Sequence, residues 1–456
     1  MLETYQFAPI LTTVWRKILR CLFGWAVAIA LTCCGQTLLA EPTVGDWLAA
    51  RLGEIVEIYR ELHRSPELSL EEEATSGRMA RWLAAEGITI TERVGGFGVV
   101  GVLKNGPGPV LMYRADMDAL PVAELTGLPY ASQVRVTDSR GATVGVMHAC
   151  GNDMHMANLI GTARYLAAHR DQWRGTILYL CQPAEERGAG AQAMLADGLL
   201  ARFPRPDFAV ALHVSPDRPT GSMAYRAGYA LANVDSVDIT IRGRGGHGAY
   251  PETTIDPIVI AARLVLDLQT IVSREVKPIE PAVITVGSIH GGTKHNIIGD
   301  DCELQLTVRS YSPQVRKQLQ QAIRRKALAA AAAADAPEPE VRVSEGTPSL
   351  YNDPQLTERV VRTLRHALGD ANVAERDPSM GGEDFSRYGE AGVPICMLSL
   401  GAVDQARLDQ FQAEGTQPPS LHSPLFYPDP ETTLRTGIIA MVNVALDLLP
   451  LEDDAG

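Results

Sequence analysis

Apolar positions in the first half of the chain follow two different spacings. Segments with the 3.6-residue period of an amphipathic helix cover Asp46–His63 and Glu71–Glu86. Alternating with such segments, short apolar runs predict strands at Phe97–Leu103, Pro109–Arg114, Gly175–Cys181 and Phe208–His213. This alternation, from Val44 to about Ala230, predicts an α/β fold in which helices cover both faces of a layered sheet.

The pattern changes between about Asn233 and Glu345. Residues 234–242 alternate with period two, which is typical of a half-exposed strand. The elements that follow are a helix at Asp256–Val272, strands at Ala282–His290 and Asp301–Tyr311, a helix at Pro313–Ala334 and a strand near Glu340–Val343. We expect an α+β domain at residues 233–345, inserted into a first domain made of residues 41–232 and 346–456.

The C-terminal part of the chain returns to the first pattern. An apolar run at Val393–Leu400 predicts a strand, and helix-period segments at Gln355–Leu368 and Glu431–Leu449 flank it. These elements are expected to complete the first domain.

The first forty residues resemble an export signal. Basic residues between positions 16 and 20 precede the apolar run Cys21–Cys34, and the segment ends in Thr-Leu-Leu-Ala with the small residue Ala40, after which we expect cleavage. The apolar run is short for a membrane span, although an uncleaved anchor is the alternative. We predict a signal peptide at residues 1–40 and a periplasmic or secreted protein without a stable membrane span after processing.

Size and charge limit the classes of function. A chain of 456 residues, 46% of them hydrophobic, can bury a large core in two or more domains. The formal net charge of -13, with no basic stripe to neutralise phosphates, argues against a nucleic-acid partner. The cysteines beyond the signal are too widely spaced for a disulfide framework: Cys150, Cys181, Cys302 and Cys396.

Carboxylates follow two of the predicted strands. Asp116 and Asp118 come just after the second strand and share a face by their two-residue spacing. Glu185 and Glu186 follow a proline after the third strand. Because adjacent side chains diverge, one glutamate could bind a metal while the other takes a proton from water. A strand-end turn and a solvated acidic pair are the structural alternatives.

Sulfur and imidazole groups extend this set of metal-type ligands. Cys150 lies in Cys-Gly-Asn-Asp, and His213 and His422 lie in short apolar settings. With one glutamate they would form a coordination shell suited to zinc or a similar divalent ion. The alternative is a coincidence of ordinary core histidines.

Six motifs, in chain order, resemble those of the M20 metallopeptidase family. They are Arg-Ala-Asp-Met-Asp-Ala-Leu-Pro, Met-His-Ala-Cys-Gly-x-Asp-x-His, Gln-Pro-Ala-Glu-Glu, Gly-Arg-Gly-Gly-His-Gly-Ala-Tyr-Pro, Met-Gly-Gly-Glu-Asp-Phe and Leu-His-Ser-Pro-Leu-Phe. The resemblance spans about Trp47 to Leu449 and is to the amidohydrolase branch, which includes hippurate hydrolases, N-acyl-amino-acid amidohydrolases and auxin-conjugate hydrolases. It implies a zinc-peptidase-like, di-metal catalytic domain with an inserted, ferredoxin-like α+β lid that commonly mediates dimerisation. We therefore expect a homodimer.

The resemblance also implies roles for single residues. By position, the metal ligands would be Cys150, Glu186, His213 and His422, and Asp116 would orient a ligand. Glu185 would be the general base, and His247 would polarise the scissile carbonyl as the lid closes. Asn296 and Arg309 would hold the substrate carboxylate. A turn at His247 and a strand-end salt bridge at Arg309 are the structural alternatives.

One position departs from the family pattern. The branch normally has Cys-Gly-His-Asp, whose histidine binds metal, whereas this chain has Asn152. Asn152 could bind through its oxygen, His148 or His155 could substitute, or one metal position could be weak or empty. The structural alternative is that Asn152 or Asp153 caps a helix at Met154–His169. We hypothesise one firm position for zinc or manganese, against the two ions that the resemblance implies.

The sequence therefore predicts a metal-dependent hydrolase of the amide bond of N-acyl amino acids or related small peptide-like conjugates. A dipeptidase or carboxypeptidase on the same scaffold is one alternative. The other is a non-catalytic binding protein that has lost turnover through the change at Asn152.

Overall fold

The computed structural model describes residues 43–137 and 141–451, and the predicted signal segment, residues 1–40, lies outside the described residues. The strands described, in chain order, are β1 (Thr89–Val94), β2 (Gly98–Asn105), β3 (Val110–Asp116), β4 (Arg135–Thr137), β5 (Thr143–Gly145), β6 (Gly175–Gln182), β7 (Phe208–Pro219), β8 (Met223–Tyr225), β9 (Gly228–Leu231), β10 (Asn233–Arg242), β11 (Gly246–His247), β12 (Ala282–Gly291), β13 (Ile297–Ile298), β14 (Asp301–Ser310), β15 (Glu340–Glu345), β16 (Leu350–Asn352), β17 (Val373–Glu375) and β18 (Ile395–Val403). The helices described are α1 (Val44–Ala49), α2 (Leu52–Arg64), α3 (Glu73–Ala85), α4 (Asn152–Ala168), α5 (Gly190–Ala196), α6 (Leu199–Arg202), α7 (Pro257–Thr270), α8 (Pro313–Ala332), α9 (Pro354–Leu368), α10 (Ser386–Glu390), α11 (Gln405–Glu414) and α12 (Pro430–Leu448).

An eight-stranded sheet forms the centre of the larger layer. Its strand order is β1-β2-β6-β3-β7-β18-β8-β17, and the central strands β6, β3, β7 and β18 are parallel. Every residue of β6 is buried, as expected for a parallel strand that is covered on both faces. Because parallel strands end at the same edge, Asp116 and Gln182, which are paired in register, open the crevice where α/β sheets place their sites.

Helices cover both faces of this sheet. On one face α2, α4 and α12 pack against one another and against β3 and β18. On the other face Met194 of α5 and Tyr388 of α10 join one buried apolar cluster with Met112 of β3 and Leu178 of β6. Side chains on alternate residues of each strand therefore face opposite helical layers, and the predicted α/β fold is confirmed.

A second, four-stranded sheet consists of residues between 233 and 345. Its strands have the order β12-β14-β10-β15, and all neighbouring pairs are antiparallel. In this order β10, which comes first in the chain, lies between β14 and β15. Helices α7 and α8 pack on this sheet through a common apolar cluster that includes Leu264, Leu319 and Val308. This is the α+β layer that the pattern of residues 233–345 predicts, with the ferredoxin-like arrangement that the family resemblance implies.

Two chain segments connect the larger layer to the inserted one. They run side by side, because the backbone N–H of Val234 donates to Thr347 and that of Gly346 donates to Val234. A Cβ on Gly346 would lie 2.4 Å from the carbonyl oxygen of Val234, so the close approach of the two segments requires glycine at this position.

The predicted helix Asp46–His63 is divided into α1 and α2. The division falls at Arg51, whose φ of -123° and ψ of -8° are not helical. Its guanidinium lies 4.6 Å from the ring centroid of Trp47 and donates to the Trp47 carbonyl oxygen. The prediction of one continuous helix was therefore wrong, since side-chain interactions of Arg51 favour a turn that the apolar spacing does not show.

Among the residues that the structure describes, no helix is both long enough and apolar enough to cross a membrane.

Candidate metal centre and active-site cleft

A cleft of about 970 Å³ lies at the carboxyl ends of the central strands. Its wall includes Cys150, Glu185, Glu186, His213 and His422 from the larger layer. Ser236 of β10 and Arg309 of β14 contribute to the wall from the inserted layer. Both layers therefore contact any ligand in the cleft.

Three of the predicted metal ligands converge in this cleft. The ligand atoms of Cys150, Glu186 and His422 all lie within 4.8 Å of one another. His213 joins them, since its Nε2 is 3.4 Å from the Cys150 sulfur. Sulfur, carboxylate and imidazole at such separations are a donor set that suits a divalent cation.

Unusual backbone conformations bring these donors together. Cys150 precedes Gly151, which has a φ of 85° and is the N-terminal cap residue of α4. His422 has a φ of 67°, and its backbone N–H donates to the carbonyl oxygen of Ala149. The loop before α12 is thus fixed beside Cys150 by a hydrogen bond that no sequence spacing reveals.

The charges in the cleft favour a cation between these donors. Burial and the neighbouring Glu186, Glu185 and Asp116 raise the pKa of the Cys150 thiol well above its ordinary value. Burial and the nearby Asp118 and Asp116 raise the pKa of Glu186 to about 8. Burial, together with His155, lowers the pKa of His213 to about 3, so this imidazole is neutral and able to donate a lone pair. A divalent ion would stabilise the deprotonated forms of Cys150 and Glu186 that burial disfavours, and the donor set therefore fits a metal.

Asn152 faces the same donors from the first turn of α4. Its amide nitrogen donates to the carbonyl oxygen of Asp118 and lies 3.4 Å from a Glu186 oxygen. Its Oδ1 is buried and has no hydrogen-bond partner among the described residues. A buried, unpaired acceptor is costly, and a cation is one partner that would satisfy it.

The alternatives for Asn152 can be compared with this geometry. Asn152 does not cap α4 with its side chain, whereas Asp153 accepts the backbone N–H of Met154. Both ring nitrogens of His155 are engaged, one by Asp116 and one by the backbone N–H of Val214. His155 therefore cannot substitute as a ligand without losing these bonds. His148 is buried, but it is not part of the grouped donor set.

Asp118 fixes the backbone of the two glutamates. Its carboxylate oxygens accept the N–H groups of Glu185 at 3.0 Å and Glu186 at 2.9 Å, and they also accept the hydroxyl of Ser69. The preceding residue, Ala184, has a φ of 51°, and the fully buried Glu72 accepts its N–H. Two buried carboxylates thus hold the turn that presents one glutamate to the donor set and the other to the cleft.

Asp116 has other contacts than the sequence implied. Its carboxylate contacts His155 at 2.6 Å and Arg114 at 2.7 Å. Among the described residues, it makes no hydrogen bond to Cys150, Glu186, His213 or His422. The His155 ring lies 4.5 Å from the ring of His213. Asp116 therefore orients a histidine that packs against a candidate ligand, and its predicted action on a ligand is indirect.

A buried ionic network behind Glu185 was missed by the sequence reasoning. The guanidinium of Arg114 contacts Asp116, Glu383 at 2.9 Å and Asp384 at 3.2 Å. The oxygens of Glu185, Glu383 and Asp384 lie within 4.8 Å of one another. Arg114 supplies one positive charge to this group, and burial still raises the pKa of Glu185, Glu383 and Asp384. The sequence did contain a signal for this network, because Glu383 and Asp384 belong to the motif Met-Gly-Gly-Glu-Asp-Phe, to which no role was assigned from the sequence.

The predicted substrate-binding residues are divided between two places. Arg309 lines the cleft, where its guanidinium donates to the carbonyl oxygen of Met380 at 2.9 Å. His247 and Asn296 are exposed and adjacent, because β11 pairs with β13 and Gly248 donates its N–H to the Asn296 carbonyl. These two residues do not line the cleft, and their roles stay predictions.

The donor set and the fold together define a class of protein. Sulfur, imidazole and carboxylate donors at the carboxyl edge of an α/β sheet, beside an inserted α+β layer, are the features of a metal-dependent hydrolase. The chain belongs to the Peptidase family M20/M25/M40, to which residues 112–422 match. As a member, it is a hydrolase of amide bonds that uses a divalent metal, and the predicted resemblance is confirmed.

Similar proteins carry related activities. An N-acetyl-L-cysteine deacetylase of Bacillus subtilis is 39% identical over 339 residues, which are 74% of this chain and 77% of the relative. A thermostable carboxypeptidase 2 of Saccharolobus solfataricus is 38% identical over 350 residues, 76% of this chain and 83% of the relative. The crystal structure of a dinuclear metal-binding M20 peptidase from Bacillus subtilis superposes with a TM-score of 0.72 at 31% identity, covering 88% of this chain and 99% of the other.

The contacts of Asp118 generate a prediction about metal affinity. In Asp118→Asn, one of the two acceptor oxygens is replaced by an amide NH2, which would face the backbone N–H of Glu185 or Glu186, so the turn would shift and displace Glu186 from the donor set. Because loss of a group that orients a ligand typically costs about 10–100-fold in metal affinity, we expect zinc binding to weaken by that factor in competition with a chromogenic chelator. Asp207→Asn is a matched control, since Asp207 also accepts a backbone N–H, from Val110, but does not line the cleft. Equal zinc affinity in the wild type and Asp118→Asn would contradict the role.

Proposed function

We propose that the protein hydrolyses the amide bond of an N-acyl amino acid bound in the cleft. The observation that carries the proposal is the convergence of Cys150, Glu186 and His422 within 4.8 Å in the cleft that Glu185 lines. Arg309 provides a guanidinium in the same cleft for the carboxylate of the amino acid. The similarity to the N-acetyl-L-cysteine deacetylase of Bacillus subtilis supports this class of substrate.

The residues of the cleft divide the chemistry among them. Cys150, Glu186, His213 and His422 would hold a divalent ion, which would acidify a water molecule and polarise the scissile carbonyl. Glu185 accepts the proton of the attacking water and delivers it to the leaving nitrogen. Burial, with Glu383 and Glu186 nearby, raises the pKa of Glu185 well above its ordinary value, so the carboxylate is a stronger base than in water.

His247 would contribute only after a movement. As an exposed residue that does not line the cleft, it can polarise a substrate carbonyl only if the inserted layer changes position. Asn296 belongs to the same exposed surface, so the same movement would bring it towards the cleft.

A carboxypeptidase activity on small peptides is the second candidate. It is favoured by the similarity to the Saccharolobus solfataricus thermostable carboxypeptidase 2. The same cleft would serve, because a C-terminal residue also presents a carboxylate next to an amide. A binding protein without turnover is disfavoured, since Asp118, Glu72 and the strained Ala184 all serve to hold Glu185 in place.

Substitution of the base tests the hydrolytic mechanism. Glu185→Gln keeps the shape of the side chain but cannot accept the proton. A positioned general base increases the rate of such a reaction by about 10²–10⁴-fold. We expect kcat for N-acetyl amino acids to fall by at least about 100-fold with little change in KM, measured by the release of free amine. The control is Glu358→Gln, an exposed residue of α9. Equal release by the wild type and Glu185→Gln would remove Glu185 from this role.

We further propose that one metal position is firm and the second is weak because of Asn152. An amide oxygen is a weaker ligand for zinc than an imidazole. Because the second position then lacks one of its strong ligands, purified protein should retain about one ion per chain after dialysis. Asn152→His should raise the retained zinc to about two ions per chain, measured by elemental analysis, because it restores the ligand of the family pattern. Asn152→Ala is the control that removes the amide without adding a ligand. Two tightly held ions in the wild type would contradict the proposal.

We also propose that the protein is exported and acts as a homodimer. The basic and apolar pattern of residues 1–40 supports export. The inserted layer supports dimerisation, because Val259 and Leu266 of α7 are 64% and 72% exposed, and exposed apolar patches mark contact surfaces. Native mass spectrometry of the protein recovered from its producing cells should show a dimer of chains that begin at Glu41. A monomer would contradict the proposed dimer, and chains that begin at Met1 would contradict the proposed cleavage of an export signal.

A further inference from the structure

The cleft is lined by both carboxylates and guanidinium groups. Its wall includes four arginines, Arg187, Arg226, Arg309 and Arg376. Arg226 pairs with Glu375 at 3.1 Å, and Arg187 is exposed to solvent, where its charge is screened. Arg309 and Arg376 are half-buried, and neither has a carboxylate partner within 4.0 Å among the described residues.

Arg376 is fixed at a defined place in the wall. It follows β17 directly, and its backbone N–H donates to the carbonyl oxygen of Tyr225. Its guanidinium donates to the hydroxyl of Ser399 at 2.5 Å. Ser399 lies in β18 opposite His213 of β7 in the parallel register, so the two side chains share a face of the sheet on neighbouring strands. The guanidinium of Arg376 is therefore held about one strand away from a candidate metal ligand.

A half-buried guanidinium without a counterion is energetically unfavourable. Arg cannot lose its proton in a protein, and partial removal of its charge from water is costly unless the charge is paired. Ser399 accepts only one of the five N–H donors of Arg376. The remaining donors are available to a ligand in the cleft, and a carboxylate matches their planar geometry with two parallel hydrogen bonds.

We infer that Arg376 binds a second carboxylate of the substrate. This inference rests on the proposed function, in which Arg309 takes the carboxylate of the amino acid. The preferred substrates are then N-acyl amino acids with two carboxylates. The second carboxylate belongs either to the side chain of an acidic amino acid or to a dicarboxylic acyl group, and both offer the same chemistry to Arg376.

Three substrates separate these sources. N-Acetylalanine has one carboxylate, N-acetylglutamate has a second one in the amino acid, and N-succinylalanine has a second one in the acyl group. We expect the wild type to have a higher kcat/KM for one of the two dicarboxylates than for N-acetylalanine. The better dicarboxylate identifies the side of the amide bond that faces Arg376.

Substitution of the arginine tests the contact itself. In Arg376→Gln, the ratio of kcat/KM between the better dicarboxylate and N-acetylalanine should fall by about 10–100-fold, which is the usual effect of losing a charge-assisted hydrogen bond. The loss should appear mainly in KM, because the carboxylate is bound equally in the ground state and the transition state. Arg376→Lys should retain part of the ratio, since it keeps the charge but not the bidentate geometry.

Two further variants control for fold and charge. Arg362→Gln removes an equal charge from an exposed position of α9 outside the cleft, and it should leave the ratio unchanged. Ser399→Ala removes the hydrogen bond that positions Arg376 but keeps the guanidinium, so it should reduce the ratio less than Arg376→Gln does. If Arg376 had a purely structural role, Ser399→Ala and Arg376→Gln would instead reduce the ratio equally.

The outcomes distinguish this inference from the function on which it rests. If Arg376→Gln lowers kcat/KM for all three substrates by the same factor, or if the wild type prefers N-acetylalanine, the inference about Arg376 is overturned while amide hydrolysis stands. If the wild type with bound zinc hydrolyses none of the three, the proposed function fails and this inference fails with it.

Discussion

The structure of the site depends on one buried cation, Arg114. Its guanidinium lies at the end of β3 and contacts three carboxylates and the side chain of Gln182. Burial and the charge of Arg114 act in opposite directions on Asp384, and burial dominates, because the pKa of Asp384 is raised to about 7. Without the guanidinium, these carboxylates would have no compensating charge in the interior, and removal of one partner from such a network typically costs about 3–5 kcal/mol. Arg114 thereby joins the end of β3 to the segment that begins α10.

This ionic network and the turn at Ala184 explain how a loop can be placed accurately. Loops usually vary in position, but residues 184–186 are held on three sides. Glu72 accepts one backbone N–H, Asp118 accepts two more, and the guanidinium of Arg114 offsets the charge behind Glu185. The cost of the left-handed conformation at Ala184 is of the order of 1–3 kcal/mol, and it persists because these contacts over-determine the turn. A site that must place two adjacent glutamates in different roles requires such a fixed backbone.

The sequence predicted the elements of the fold well, because their apolar spacing directly reflects which faces are buried. The strands β3, β6 and β7 and the inserted order of strands and helices follow from that spacing alone. The donor set was predicted from residue chemistry, since Cys150 lies among glycine and polar residues, and His213 and His422 lie in short apolar settings. The division at Arg51 and the hydrogen bonds of Asp118 were not predictable, because they depend on which loops meet in space. For the same reason Arg376 gave no signal: its neighbours Ser399 and His213 come from distant strands.

The distribution of fixed positive charge separates two groups of acidic side chains in and behind the cleft. Glu383 and Asp384 have Arg114 as a permanent counterion, which offsets part of the cost of their burial whether or not a metal is present. Cys150 and Glu186 have no such partner: burial lowers the pKa of the neighbouring His422, and burial lowers the pKa of His213 to about 3, so neither imidazole carries charge near neutral pH. An anion that lacks a counterion in a half-enclosed cleft is stabilised by a divalent ion far more than one that is already paired. The chain therefore concentrates its affinity for a cation at Cys150 and Glu186, which have no fixed positive charge among their described partners. The exchange of an imidazole for an amide at Asn152 changes the strength of one donor there without changing this distribution of charge.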